Sequence, residues 1–466
     1  MADVAFLSIV ELGRLLRQKK TSATELATYF LDRLERIGPR YNAVVVVTRA
    51  RALAEAAQAD REIKAGKWRG PLHGIPYGVK DLLATKDYPT TWGAEPYRQQ
   101  KFDHDATVVE RLGAAGAVLV AKLAMVELAG GMGYNQANAS FTGPGKTPWN
   151  PGYWSGGSSS GPGAAVAAGL VPFAIGSETS GSILTPAAFC GVTGLRPTYG
   201  VVSRHGAMAL AWTMDKLGPL GRSAEDCGIV LQVIAGKDPK DPSSVDPHPL
   251  TASPSRRGGT KWRIGVPKGA DKDIQSEVAA NFRQALKVLE DAEVVEDVEL
   301  PDLPYGAVAG MIIAAEGASA FDDLLKDGRL SQLTAPEDRT GGYSALAVSA
   351  PEYIRALRVR RPMQRALDDF LKKFDALAVP TRTTVATPLD KPFRDGWPGV
   401  TGGANVIGPT NVVGVPGISV PNGFGVQGLP TGLSFTTRAF DEGQLLALAR
   451  IYQSRTDWHT RKPQID

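Results

Sequence analysis

The sequence predicts an α/β fold, with a parallel or mixed sheet covered by helices on both faces. Two observations predict it. Short apolar or β-branched runs alternate with longer segments whose apolar residues recur at helical spacing. Ser-x-x-Glu or Ser-x-x-Asp signals stand at the start of three of those longer segments.

In chain order, Ser8-Ile9-Val10-Glu11 and Ser22-Ala23-Thr24-Glu25 are both capping boxes, so two helices open the chain. The second puts Leu26, Phe30, Leu34 and Ile37 on one face and stops at Gly38-Pro39. Residues 43–47 read as a buried strand and 50–65 as an alanine-rich helix. Strand 75–80, helix 105–115 and strand 117–121 follow. Residues 172–176 read as a central strand, with a helix beginning at or just after Ser182. Ser223-Ala224-Glu225-Asp226 caps another helix. Residues 237–260 are rich in Pro, Ser and Asp without periodicity and read as a surface connection. Alternation resumes at 262–266, 277–289 and 294–300. Residues 352–374 form a long helical pattern containing Pro362, where a kink or break is expected. Residues 377–380 and 417–421 read as strands, and 441–455 as a closing amphipathic helix. Residues 301–350 follow neither period clearly.

The net charge of +4, from 52 basic and 48 acidic residues, gives no electrostatic footprint for nucleic acid. No apolar run approaches the roughly 20 residues that span a bilayer. The start of the chain lacks the basic and apolar pattern of a signal peptide, so a cytoplasmic location is expected. The two cysteines, Cys190 and Cys227, fit buried thiols. No H-E-x-x-H or paired C-x-x-C occurs, which argues against a zinc hydrolase and implies no metal or other cofactor.

The chemically informative stretch is 156–187, GGSSSGPGAAVAAGLVPFAIGSETSGSILTPA. Small residues let the backbone turn tightly and bring its N–H groups close to a ligand. A serine in such a turn combines an exposed hydroxyl with nearby donors, which is what acyl transfer needs. The stretch contains no histidine, aspartate or cysteine, so the base must come from elsewhere. Lys80 is the candidate. It ends the apolar run Ile75-Pro76-Tyr77-Gly78-Val79, and a buried strand end disfavours the charged amine. A neutral amine can take a proton from a serine hydroxyl. Taken alone, a strand-end lysine more often reaches solvent.

Three elements together resemble the amidase signature family: Gly74 to Asp81 (GIPYGVKD), Gly156 to Gly161 (GGSSSG) and Gly176 to Ile183 (GSETSGSI). The likeness continues through Cys190 to Gly200 and reappears from Val413 to Pro421. Length alone would allow roughly three domains, but the resemblance implies one large domain over 1–466. Its core spans about 70–235, and its mixed, mostly parallel twisted sheet is covered by helices on both faces. The family's pattern makes Ser182 the nucleophile, Ser158 a bridging serine after a cis Gly157–Ser158 bond, and Lys80 the base. The N–H groups of Thr179, Ser180, Gly181 and Ser182 would form the oxyanion hole.

Two positions depart from the family. Leu184 stands where it has arginine two residues after the nucleophile, and Thr179-Ser180 replaces Thr-Gly. The missing cation favours a neutral, partly apolar amide, with carbamates, urethanes and esters chemically adjacent. Met132, Tyr134, Phe141, Trp154, Leu184 and Met208 are candidates to line the pocket, and 301–350 to shape its entrance. The expected partner is a small amide or carbamate, with the chain a monomer or homodimer. The alternatives are a glutaminase subunit of a tRNA-dependent amidotransferase, which needs partner subunits, and an inactive binding protein on the same fold. Of the five histidines, His73 reads as structural and His205 as packed or on the surface. Asp81 is expected to bond nearby backbone rather than Lys80, since a close anion would keep the lysine charged.

Overall fold

Both opening helices are capped as their sequences dictate. In the computed structural model, which describes residues 4–246, 261–404 and 406–465, Glu11 N–H donates to Ser8 Oγ at 3.2 Å. Ser8 N–H donates back to Glu11 Oε2 at 2.8 Å. Ser22 and Glu25 make the same reciprocal pair. Leu26, Phe30, Leu34 and Ile37 of helix Ala23–Ile37 are buried, so its apolar stripe faces the core.

Among the described residues, eleven strands make one sheet: β1 (Val44–Val47), β2 (Pro76–Lys80), β3 (Val118–Leu123), β4 (Phe173–Glu178), β5 (Thr193–Arg196), β6 (Lys216–Gly221), β7 (Arg263–Pro267), β8 (Glu293–Val298), β9 (Ala376–Pro380), β10 (Gly417–Phe424) and β11 (Pro430–Thr436). The order across the sheet is β1-β3-β2-β4-β6-β5-β10-β11-β9-β7-β8. The sheet is mixed. The β2–β3, β2–β4, β7–β8 and β7–β9 pairings are parallel, and the other six are antiparallel. β2 to β6 are almost wholly buried, as strands covered on both faces must be.

Three local expectations change. β1 is half-buried rather than buried, because it is an edge strand that pairs only with β3. Helix Ala350–Leu371 runs through Pro362 without a break. Pro362 and Arg358 both face solvent, so the Arg358 carbonyl that loses its N–H partner turns to water. The connection from residue 237 is anchored at its start. Asp238 and Asp241 are buried, and Asp238 Oδ2 accepts from Thr107 and Ser203 hydroxyls at 2.6 Å each. The rest of that connection, 247–260, lies outside the described residues. Residues 301–350 are mainly helical, led by Tyr305–Ala320.

Candidate active site

β2 and β4 are parallel neighbours, with Tyr77 opposite Phe173 and Val79 opposite Ile175. Their C-terminal ends therefore meet, and this brings Lys80 beside Ser177. Lys80 Nζ donates to Ser158 Oγ at 2.7 Å and to Ser177 Oγ at 2.9 Å, and the lysine is fully buried. The Gly157–Ser158 bond is cis. Ser159 ties this turn to the next one. Its N–H donates to the Ser182 carbonyl at 3.2 Å, and its hydroxyl donates to the Ser177 carbonyl at 3.1 Å. The structure thus gathers Lys80 and the two glycine–serine turns that carry Ser158 and Ser182. Ser182 is 5% exposed, and its hydroxyl makes no hydrogen bond among the described residues.

The 179–182 turn presents donors. Among the described residues, the N–H groups of Thr179, Ser180, Gly181 and Ser182 have no protein acceptor. Gly181 sits at φ +89°, a conformation that side-chain-bearing residues rarely adopt. The next two N–H groups are held elsewhere. Ile183 and Leu184 donate to Glu178 Oε2 at 2.8 and 3.0 Å, just as helix Leu184–Cys190 begins.

Beneath the turn lies a buried ionic network absent from the sequence reading. Glu178 Oε1 accepts from Arg196 Nη1 at 2.9 Å and from Asn411 Nδ2 at 2.8 Å. Arg196 also donates to the Val415 carbonyl at 2.9 Å. Asp215 Oδ1 accepts from the Thr179 hydroxyl at 2.6 Å. Lys216 Nζ lies 3.4 Å from the Thr179 carbonyl. Burial would raise the Glu178 pKa, but Arg196 and Lys216 outweigh it and hold it below its ordinary value. Burial pushes the Asp215 pKa up and the Lys216 pKa well down.

The same desolvation acts on Lys80. It pulls the amine down to about 7, against the weaker upward pull of Asp215 and Glu178. No carboxylate among the described residues bonds the amine directly. Asp81 is committed elsewhere. It accepts from Thr91 N–H at 3.0 Å and pairs with Lys122 at 3.0 Å, a buried partner not foreseen.

Two cavities flank the turn. One, of about 180 Å³, is lined by Ser177, Thr179, His205, Met208, Leu210 and Trp212, among others. The second, of about 280 Å³, is lined by Gly157, Ser180, Thr185, Tyr134, Trp154 and Arg382, among others. Met208 lines the first cavity, and Tyr134 and Trp154 line the second. His205, half-buried, lines the first cavity and stacks on His104 with ring centres 5.5 Å apart.

Three expected pocket residues lie elsewhere. Met132 is buried in the core against Gly341 and Gly342. Phe141 is half-buried under the Arg98 guanidinium, 4.2 Å from its ring centre. Leu184 is buried because all of helix Leu184–Cys190 is enclosed against β5, β10 and β11. From 301–350, Ala320 and Phe321 reach a third cavity that shares Met208 and Trp212 with the first. His73 is buried 3.4 Å from Glu62, and both cysteines are buried free thiols.

The chain is similar to known proteins along nearly its whole length. A glutamyl-tRNA(Gln) amidotransferase subunit of Moorella thermoacetica is 38% identical over 490 residues, covering 99% of each chain. The structure of native peptide amidase from Stenotrophomonas maltophilia superposes with a TM-score of 0.87 at 31% identity, over 100% of this chain and 99% of that one. The corresponding glutamyl-tRNA(Gln) amidotransferase subunit of Thermotoga maritima superposes with a TM-score of 0.80 at 28% identity, over 99% and 98%. The Amidase family model matches residues 25–446, and the chain belongs to the amidase family.

Proposed function

We propose that this chain hydrolyses the C–N bond of a carboxamide through an acyl-enzyme on Ser182. The observation that carries the reading is the buried Lys80 amine, 2.7 Å from Ser158 Oγ and without a carboxylate partner. Neutral Lys80 takes a proton through Ser158 as Ser182 Oγ attacks the carbonyl carbon. The oxyanion is received by the free N–H groups of residues 179–182, preorganised donors of the kind that lower such barriers most. The proton returns along the same path to the leaving nitrogen, and water then repeats the sequence to release the acid. An acyl-fluorophosphonate tests the assignment. It labels Ser182 in the native chain and nothing in Ser182→Ala; labelling that persists in the variant overturns the nucleophile.

Two substrate readings have support. The names of the curated relatives favour the glutaminase subunit of a tRNA-dependent amidotransferase over the neutral-amide reading that the sequence put first. On that reading the chain works with partner subunits. The second reading is a free-standing amidase, monomeric or homodimeric, for neutral, partly apolar amides, with carbamates, urethanes and esters within reach. The apolar wall at Met208, Leu210 and Trp212 favours it. Glutamine hydrolysis, assayed with the chain alone and with glutamyl-tRNA and partner subunits, separates the two. Absence of labelling and of turnover on anilide, carbamate and ester panels would return the reading of an inactive binding protein.

A further inference from the structure

Lys216 is a buried amine that the chemistry above does not use. It opens β6, opposite Glu178 in the antiparallel β4–β6 register. Among the described residues, both of its side-chain hydrogen bonds go to main-chain carbonyls, Thr179 at 3.4 Å and Asn411 at 3.5 Å. Burying an amine in this way costs stability, and a methionine would fill the same space without that cost. Packing alone therefore does not account for a lysine here. Asp215 stands beside it and holds the same residue by the side chain. Its Oδ1 accepts from the Thr179 hydroxyl at 2.6 Å, and its Oδ2 accepts from Leu210 and Ala211 N–H at 2.9 and 3.0 Å. The loop before β6 thus fixes Asp215, and Asp215 fixes Thr179.

Two consecutive residues therefore hold Thr179 at two points, its hydroxyl and its carbonyl. That carbonyl belongs to the peptide whose N–H is that of Ser180. The peptide is trans, so its C=O and N–H point to opposite sides. With the carbonyl turned toward Lys216, beneath the turn, the Ser180 N–H is turned away from it. There, no protein group among the described residues accepts it. Thr179 lines the first cavity and Ser180 the second, so this peptide stands between the two. A reversed peptide would put a carbonyl oxygen where a donor is needed.

We propose that Lys216, together with Asp215, is a positioning residue for the oxyanion site: the pair holds the Thr179–Ser180 peptide so that the Ser180 N–H faces the oxygen on which charge develops. Both residues act through Thr179. The proposal rests on the amide-hydrolase reading above and adds to it how one of the donors is aimed.

The test is labelling of Ser182 by the fluorophosphonate, whose phosphoryl oxygen takes the place of the carbonyl oxygen, read as kinact and KI by intact mass. Lys216→Met and Thr179→Val are each expected to lower kinact by about 10- to 100-fold while KI stays within about twofold. Thr179→Ser keeps the hydroxyl and regains most of the rate; Lys216→Gln keeps a donor and regains part of it. The acid limb of the labelling rate stays at its pH in Lys216→Met and Thr179→Val, because neither change touches Lys80. Urea unfolding separates aim from fold: Lys216→Met is expected to be at least as stable as the native chain at pH 7. A kinact unchanged in either variant, a loss that appears in KI instead, an acid limb that moves, or a Lys216→Met chain less stable than the native one overturns the proposal. A native chain that labels at Ser182 beside unaffected variants sinks the positioning alone. A native chain that does not label at Ser182 sinks the hydrolase reading, and the positioning with it.

Discussion

Lys80 Nζ and Ser158 Oγ are 2.7 Å apart, and both residues are fully buried. Removal from water is what makes this contact chemically useful. A solvated lysine would hold its proton at neutral pH, whereas burial brings this one down to about 7. The amine is therefore available as a base in the range where the chain would work.

That depression has a cost in stability. Between pH 7 and 10.5 the unfolded chain binds a proton at Lys80 that the folded chain has released. Stability from this residue therefore rises with pH across that window, and the penalty is full below pH 7. The Lys80→Met variant, which fills the space without the charge, is expected to be more stable than the native chain at pH 7 by several kcal/mol, about 5 at most. The gap should narrow toward pH 10. Urea unfolding at pH 7, 8.5 and 10 measures it; a gap that does not change with pH contradicts the depressed amine.

Ser177 accepts the second hydrogen bond from the lysine, at 2.9 Å. An accepting hydroxyl favours the ammonium form. Ser177→Ala is expected to move the acid limb of kcat/KM to lower pH and to reduce the plateau by about 10-fold through looser positioning of the amine. The pH profile of the variant checks both effects. An acid limb at its original pH would make Ser177 a packing residue only.

Glu178 holds two N–H groups after the 179–182 turn and neutralises the buried Arg196. Glu178→Gln leaves the arginine without its counter-ion. A loss of about 3–5 kcal/mol is expected in urea unfolding, with slower fluorophosphonate labelling of Ser182. A loss below about 1 kcal/mol would mean that Arg196 finds compensation elsewhere.

What the sequence revealed follows from the range of each interaction. Ser8 and Ser22 were legible because a capping box is complete within four residues. Lys80 was legible from its apolar run, though only the family likeness raised it above an ordinary strand-end lysine. Ser177 lies inside a recognised motif, yet its contact with Lys80 depends on the β2–β4 register, which no local pattern encodes. The Glu178–Asn411 bond joins residues 233 apart. The one available signal was the presence of Glu178, Arg196 and Lys216 within otherwise small or apolar strands. Leu184 illustrates the opposite case: its identity was clear, but its burial in the core was not.

The rate at which an acyl-fluorophosphonate adds to Ser182, measured by intact mass and peptide mapping from pH 5.5 to 9.5, tests the central claim most directly. The rate is expected to climb through about pH 7 and then level, and the climb to disappear in Lys80→Ala. A rate that is flat across the range in the native chain, or an adduct on a residue other than Ser182, would contradict it.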